Sequence, residues 1–460
     1  MALIKSISGI RGTIGGKVGG NLTPQDIVDC TAAFGAWTLK KTKNPKIVIG
    51  RDARISGELV NNLVVSTLRM LGITVIDLGL STTPTVEIAV PMESAGAGII
   101  LTASHNPKQW NALKFLNNKG EFISGEDGEE VLSLIGKGKI TYANVDQLGG
   151  YEVREDYIQR HIDLILDLPL VDVEAIRAKG YKIVLDAVNS TGAIAIPPLL
   201  EQLGCEVIVI NEQVNGHFAH NPEPLPKHLY ELGKKVTAER ADLGIAVDPD
   251  VDRLAFMQEN GIAFGEEYTL VAVADYVLSH TPSSTVSNLS STRALRDVTQ
   301  KHGQAYEAAA VGEVNVVLKM KASKANIGGE GNGGIIYPAL HYGRDALVGI
   351  ALFLSHLAHS NLSVSRLRQT YPGYHIVKNK VNLTPDIDID KLLAKLEKKY
   401  KKHDLNTIDG LKIDLDAGWI HLRKSNTEPI IRVYAEGASK VTADHLAKKI
   451  MSDMMEIIRS

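Results

Sequence analysis

Cysteine is almost missing from this chain: Cys30 and Cys205 are the only two in 460 residues. Two thiols cannot build a disulfide framework, and each lies in an apolar context that suits a small buried side chain. A reducing compartment follows, and the cytoplasm is the expected one. Also missing is any apolar run of the roughly 18 residues that a membrane span needs, and residues 1–10 carry no secretory apolar segment. Neither sign of charge is in excess, since 50 lysines and arginines face 53 acidic residues for a net charge of −3. That balance argues against nucleic acid or an anionic membrane as partner, so a basic site for an acidic substrate has to be local. No segment is low in complexity and no linker is long. What remains is an ordinary globular composition, with chain enough for about three domains, four at most.

One pattern recurs three times. A short apolar strand runs into a polar loop and a helix, then a glycine and another strand. The first copy takes 47–49, the loop 50–57, a helix to Leu71, then Gly72 and the strand 73–78. The second takes 183–185, the loop 186–192, a helix to Leu203, then Gly204 and the strand 207–210. A weaker third starts near Thr285, passes Ser290-Ser291-Thr292 and restarts after Gly303. Each copy predicts a βαβ unit, and such units call for a mainly parallel sheet covered by helices. Copies that start about 100 to 140 residues apart are too distant for a solenoid and suit tandem α/β domains.

Roughly the last 85 residues differ. An alternating strand over 374–383 and a Lys-rich amphipathic helix over 389–400 lead into strands over 411–415, 419–423 and 430–436, and a helix over 443–458 closes the chain. Clustered strands of this kind predict an antiparallel sheet. The expected architecture is α/β: three tandem mixed α/β domains of similar topology, 1–155, 156–258 and 259–370, plus a C-terminal α+β domain, 371–460, around a central cleft.

Residues able to do chemistry gather in the loops. Leu101-Thr102-Ala103-Ser104-His105-Asn106-Pro107 follows the apolar run 96–101, a buried strand by its pattern, and Asn-Pro forces a turn. Ser104 thus stands at a strand's end, where α/β proteins place their chemistry. Alone, such a serine is most simply a turn residue, and His105 is as readily a hydrogen-bonded structural residue. Asp248-Pro249-Asp250-Val251-Asp252-Arg253 lies between the apolar runs 243–247 and 254–257. In an extended segment, carboxylates at i, i+2 and i+4 point the same way, and their repulsion calls for a divalent cation. All-oxygen ligation selects a hard ion, Mg²⁺ ahead of Ca²⁺ or Mn²⁺. Glu259 falls where an EF-hand has its last ligand, but Arg253 stands where that loop needs glycine, and the flanks read as strands.

Arg423-Lys424-Ser425-Asn426-Thr427-Glu428-Pro429-Ile430-Ile431-Arg432 joins two strands. Its guanidiniums, hydroxyls, amide and backbone N–H groups make a phosphate cradle. Gly328-Gly329-Glu330-Gly331-Asn332-Gly333-Gly334 lacks the spacing of a Walker loop or a dinucleotide fingerprint. With Glu330 and Asn332 it suits a polyol. The loops 8–13 and 50–57 place Arg11, Arg51 and Arg54 among glycines and hydroxyls, each most simply a solvated turn, and Lys114 is by default an exposed lysine.

A serine at a strand's end, a hard-metal site and a separate anion cradle combine as metal-assisted phosphoryl transfer, with a polyol as substrate. Two separated phosphate sites suit a reaction that hands over one phosphate while holding another. Together the motifs resemble the α-D-phosphohexomutase family, which includes phosphoglucomutase, phosphomannomutase and phosphoglucosamine mutase. Segments 102–107, 248–253, 329–334 and 423–432 lie in that family's order and at its spacing, and the loops 8–12 and 50–57 look like its amino-terminal signatures. The resemblance covers essentially the whole chain. It implies an isomerase, an intramolecular phosphotransferase that interconverts hexose 6-phosphate and 1-phosphate through a phosphoserine and a hexose 1,6-bisphosphate, which also serves as activator. By the resemblance Ser104 is the phosphoserine, and Asp248, Asp250 and Asp252 hold Mg²⁺ together with an oxygen on Ser104. Lys114 takes the position of general acid/base work. Arg423, Ser425, Asn426, Thr427 and Arg432 hold the distal phosphate, Glu330 and Asn332 the sugar, and Arg11 and Arg253 complete the substrate site. The partner implied is a small hexose phosphate, and the protein a monomer or homodimer.

The sugar loop departs from the family. Many members end it with Ser-Gly-His, whereas this chain reads Asn332-Gly333-Gly334, so the histidine that often assists proton transfer is absent at Gly334. His341 is the nearest candidate to replace it. This form of the loop looks closest to phosphoglucosamine or phosphomannose mutases. Conversion of glucosamine 6-phosphate to glucosamine 1-phosphate is the expected reaction, with phosphomannomutase or phosphoglucomutase activity as the alternative. Two remoter readings are an aspartyl-phosphate phosphatase built on Asp248 and Asp250, and a sugar-phosphate-binding regulator without turnover.

Overall fold

The apolar runs become strands and the amphipathic stretches helices in a computed structural model that describes residues 3–6, 9–136, 140–382, 387–424 and 430–459. The first sheet takes β1 (Ile4–Ser6), β2 (Gly9–Thr13), β3 (Lys46–Arg51), β4 (Thr74–Leu80), β5 (Ala97–Leu101), β6 (Trp110–Leu116) and β7 (Tyr151–Val153), in the order β1-β2-β6-β5-β3-β4-β7. The second takes β8 (Lys182–Asp186), β9 (Glu206–Ile210), β10 (Leu243–Val247) and β11 (Leu254–Gln258), in the order β11-β10-β8-β9. The third takes β12 (Thr285–Asn288), β13 (Tyr306–Ala309), β14 (Ile327–Glu330) and β15 (Gly334–Ile336), in the order β13-β12-β14-β15. The last takes β16 (His375–Asn382), β17 (Asp404–Asn406), β18 (Leu411–Leu415), β19 (Gly418–Lys424) and β20 (Ile430–Gly437), antiparallel throughout in the order β16-β20-β19-β18-β17.

These orders contain a regularity that the βαβ pattern does not announce. In each of the first three sheets a parallel core carries one antiparallel neighbour through a hairpin: β5–β6, β10–β11 and β14–β15. The serine loop, the aspartate loop and the glycine-rich loop are those three hairpin connections, and the Arg423–Arg432 stretch is a fourth, between β19 and β20. Similar topology in three domains therefore delivers three different loops at equivalent places.

The core explains why two of those loops keep a fixed relation. One apolar cluster runs from Ile162 to Tyr371 and so spans the second and third sheets, with the helix Ala346–Ser360 buried along nearly its whole length. Leu254 N, at the start of β11, donates to Gly333 O at 3.0 Å. Gly333 sits at φ +87°, and a Cβ there would meet Leu254 O at 2.2 Å, so only glycine allows the approach. The first and last sheets have their own clusters. Among the described residues no helix is long and apolar enough to cross a membrane.

Candidate active site

The serine loop is built before it is used. Ser104 is held at φ +48°, a left-handed conformation that costs a non-glycine residue about 1 kcal/mol or more. Its N–H donates to Thr102 Oγ1 at 2.9 Å, and Thr102 Oγ1 donates to Asp52 Oδ2 at 2.6 Å. Arg54 is the clamp. Its guanidinium donates to the carbonyls of Ser104 (2.5 Å), Asn106 (2.7 Å), Pro107 (2.9 Å) and Trp110 (2.9 Å), and to Asp52 Oδ2 (3.0 Å). The 50–57 loop is therefore no solvated turn at this position, because Arg54 is 1% exposed. All five guanidinium donors are spent on shaping the loop. Ser104 Oγ emerges from it and donates to Asp248 Oδ2 at 2.7 Å. His105 Nδ1 stands 3.4 Å from Oγ, and burial, then Arg253 and Arg344, push its pKa down to about 2, so the ring is neutral.

The aspartate segment is not extended, as the i, i+2, i+4 argument assumed. It is a tight turn, with Val251 N donating to Asp248 O at 3.1 Å and Val251 at φ +62°. The carboxylates converge because the chain folds over, not because a strand alternates. Oxygens of Asp248, Asp250 and Asp252 lie within 4.8 Å of one another, all buried. Asp248 Oδ1 accepts from the N–H groups of Asp252 and Arg253, both at 3.1 Å. Asp250 Oδ2 accepts from Thr83 Oγ1 at 2.6 Å and Lys114 Nζ at 2.8 Å, and Asp252 Oδ2 accepts from Arg344 Nη2 at 2.6 Å. Asp250 Oδ1 and Asp252 Oδ1 are buried with no hydrogen-bond donor. Two bare carboxylate oxygens beside Asp248 Oδ2 and Ser104 Oγ are the donor set of a hard cation, and leaving them unpaired is costly. Burial, then repulsion by Asp252 and Asp250, lifts the Asp248 pKa well above the carboxylate range. Burial acts on Asp250 too, but Lys114 and Thr83 outweigh it and pull that carboxyl down.

Lys114 lies on β6, and its side chain is mostly buried instead of exposed: Nζ is 2.8 Å from Asp250 Oδ2 and 3.8 Å from Asp252 Oδ2. Burial opposes its charge, yet the two aspartates prevail and raise its pKa. Glu330, at the end of β14, accepts from Asn288 Nδ2 (2.8 Å) and Gly312 N (3.2 Å) on one oxygen, and from Arg344 Nη1 (2.8 Å) and Asn332 Nδ2 (3.5 Å) on the other. Arg253 donates to Glu223 Oε1 at 3.2 Å, with Nε 3.9 Å from both Asp248 Oδ2 and Asp252 Oδ1.

Arg344 was not singled out by any motif, nor was Glu87, a buried carboxylate with no hydrogen bond on either oxygen. His341, the candidate to replace the histidine absent at Gly334, lies among buried carboxylates. Its Nε2 is 3.2 Å from Asp345 Oδ2, which also pairs with His161 Nε2 at 2.9 Å, and its Nδ1 is 3.4 Å from Glu87 Oε2. At the far side, Arg423 and Arg432 are cross-strand partners on β19 and β20. Arg423 Nε is 2.6 Å from Asp409 Oδ2, and Arg432 is exposed. Ser425, Asn426 and Thr427 lie outside the described residues. Arg11, on β2, has its pKa lowered by loss of hydration and then by the charge of Arg432 in the fourth domain.

Four family models match in order: Phosphoglucomutase/phosphomannomutase, alpha/beta/alpha domain I over residues 3–140, domain II over 157–261, domain III over 265–374, and the C-terminal domain over 378–452. A phosphoglucomutase/phosphomannomutase of Thermococcus kodakarensis is 34% identical over 439 residues, 95% of this chain and 94% of its own. A phosphoglucosamine/phosphogalactosamine mutase of Sulfurisphaera tokodaii is 31% identical over 457 residues, 98% of each. A crystal structure of a phosphoglucomutase/phosphomannomutase family protein from Burkholderia thailandensis superposes with a TM-score of 0.86 at 25% identity, covering 99% of this chain and 98% of that one.

Proposed function

The chain belongs to the phosphoglucomutase/phosphomannomutase family and is a phosphohexomutase; on that premise we propose that Ser104 carries the transferable phosphoryl group and that glucosamine 6-phosphate is the preferred substrate. The observation that carries the assignment of Ser104 is its hydroxyl, 2.7 Å from Asp248 Oδ2 and beside the two bare oxygens of Asp250 and Asp252. Asp248, Asp250 and Asp252 with Ser104 would hold Mg²⁺, which when bound offsets the charge of the transferring phosphoryl oxygens.

The remaining work falls to the chain's own groups. In the first transfer the free hydroxyl oxygen of the hexose phosphate attacks phosphorus on Ser104 and the P–Oγ bond breaks. The sugar hydroxyl loses a proton, Oγ gains one, and a hexose 1,6-bisphosphate results. In the second, Ser104 Oγ attacks the phosphorus at the other end of the sugar, the P–O bond to that sugar oxygen breaks, and the proton Oγ loses passes to the oxygen that leaves. Lys114, whose ammonium is stabilised by Asp250 and Asp252, would act as the shuttle. It would give a proton to Oγ as the P–Oγ bond breaks and, as the amine, take one from the sugar hydroxyl, with the reverse in the second transfer. Arg11, Arg423 and Arg432 supply the cations that hold the distal phosphate, with Ser425, Asn426 and Thr427 in the same loop as Arg423. Arg253, 3.9 Å from Asp248 and Asp252, would offset charge at the Ser104 end. Glu330 and Asn332 bind sugar hydroxyls.

The form of the sugar loop suits glucosamine or mannose phosphate alike, and the amino-sugar name of the Sulfurisphaera relative supports glucosamine phosphate. The Thermococcus relative's name favours the second reading, mannose or glucose phosphate. A site that accepts amine or hydroxyl at one carbon differs by as little as one contact, worth about 10- to 200-fold. Comparison of kcat/KM for glucosamine, mannose and glucose 1-phosphates, each with its bisphosphate, decides between them. Glucosamine phosphate is expected to lead by about tenfold or more; a lead for either neutral sugar would overturn the substrate assignment and leave the mutase assignment standing.

A further inference from the structure

Gly334 and Arg344 fit each other in a way that neither residue explains alone. Gly334 opens β15 with a backbone that any residue adopts, so its missing side chain answers to space and not to conformation. A Cβ at that position would come 2.4 Å from Arg344 Cδ and 3.0 Å from Arg344 Cγ. Such overlap with the stem of a tethered, buried side chain does not relax by a small shift. The arginine's stem lies over bare backbone, and its head reaches two loops at once. Nη2 donates to Asp252 Oδ2 at 2.6 Å and Nη1 to Glu330 Oε2 at 2.8 Å, while Nε lies 3.0 Å from Glu313 Oε2. The side chain is 9% exposed. Its own backbone is pinned as well, since Arg344 N donates to Glu313 Oε1 at 3.1 Å and Asp345 caps the helix that follows.

We propose that Arg344 is a positioning residue that ties the metal loop to the sugar loop, and that Gly334 is bare to let it pass. A planar fork with fixed donors can grip one carboxylate on each tine, which a lysine ammonium cannot do with the same geometry. By holding Asp252 through Oδ2, Arg344 leaves Oδ1 as the oxygen free for an ion. By holding Glu330 through Oε2, it supplies the largest of the contributions that favour the ionised carboxylate; burial raises the Glu330 pKa, and Arg344, Asn288, Arg253 and the Gly312 N–H together outweigh it. With the guanidinium gone, both oxygens are buried acceptors with a donor lost, and of the ties between the two loops the one between their carboxylates is broken while the Leu254–Gly333 bond remains. The inference rests on the phosphohexomutase reading and adds to it a residue outside all the sequence motifs.

The test is a double-mutant cycle on the full chain with R344A, G334A and G334A/R344A, alongside R344K. Turnover of hexose 1-phosphate is read together with the Kd of glucose 1-phosphate by calorimetry. R344A is expected to lower kcat about 100-fold, the scale of losing one preorganised donor. G334A, which displaces the guanidinium without touching it, is expected to cost about tenfold or more. In the R344A background, G334A is expected to cost nothing further, so the losses are not additive. R344K recovers a minority of the loss, and added guanidinium ion restores part of the R344A activity, which a purely structural role would not allow. Additive losses, or R344A and G334A with wild-type turnover, would overturn the proposal. If R344A fails to fold, R344K and G334A read the same prediction. A wild type with no turnover would refute the mutase reading instead, and non-additivity in Kd would still decide the pairing.

Discussion

At the residue scale the site divides into contiguous motifs and solitary side chains. Ser104 and the three aspartates were legible because each motif is a short unbroken run whose chemistry is local. Arg54 and Arg344 were not, because their meaning lies in partners elsewhere in the chain: carbonyls of 104–110 for the first, Asp252 and Glu330 for the second. A sequence shows an arginine among glycines; only the fold shows it spending every donor on a loop. Lys114 is the intermediate case, a lysine whose default is exposure but whose ammonium sits between two buried carboxylates. Replacing it by methionine removes the proton carrier, and kcat is expected to fall about 10²- to 10⁴-fold in steady-state assays. A loss below tenfold would remove Lys114 from proton transfer.

At the element scale, apolar periodicity placed the strands of the tandem domains well and the C-terminal helix over Ile389–Tyr400 to the residue. It read β11 as a strand without its direction and did not single out β6 and β15, because a strand run does not encode the direction of its neighbour. It also misjudged the aspartate segment. Alternation assumes extended backbone, whereas Asp248 O accepts from Val251 N and closes a turn. The segment after β9 packs back on the end of β8 with its own electrostatic consequence. His220 Nε2 lies 3.0 Å from Asp186 Oδ2. Burial lowers the His220 pKa, but the hydrogen bond and charge of Asp186 outweigh it, and the net shift is upward. A raised folded-state pKa means that this stabilisation is complete below the unfolded value of about 6.5 and is lost as pH rises through the folded value. Urea unfolding of the wild type and H220N at pH 6 and pH 8.5 is expected to show the wild-type advantage shrinking with pH. An advantage constant across that range would contradict the pairing.

At the scale of the whole molecule, the metal-site groups come from loops of the first and second domains and Glu330 from the third, and these loops differ in how firmly they are related. The metal and sugar loops share one core and the Leu254–Gly333 bond. The fourth domain has a core of its own and meets the third through polar contacts: Val311 N to Asp409 Oδ2 at 3.0 Å and Arg293 Nη2 to Asp414 Oδ1 at 3.0 Å. Arg432 in the fourth domain lowers the pKa of Arg11 in the first, after loss of hydration, and two cations near enough to repel suit an anion. R432Q is expected to raise KM for hexose 1-phosphate about tenfold while lowering kcat less, since distal-phosphate binding is used in ground and transition states alike; an unchanged KM would place the phosphate elsewhere. The account depends most on Ser104 as the carrier. Wild type and S104A incubated with ³²P-labelled glucose 1,6-bisphosphate, then digested and mapped, test it most directly. The account predicts acid-stable phosphoserine at Ser104, chased off by unlabelled hexose phosphate, with S104A unlabelled and without turnover. An alkali-labile acyl phosphate on Asp248, or full turnover in S104A, would contradict it.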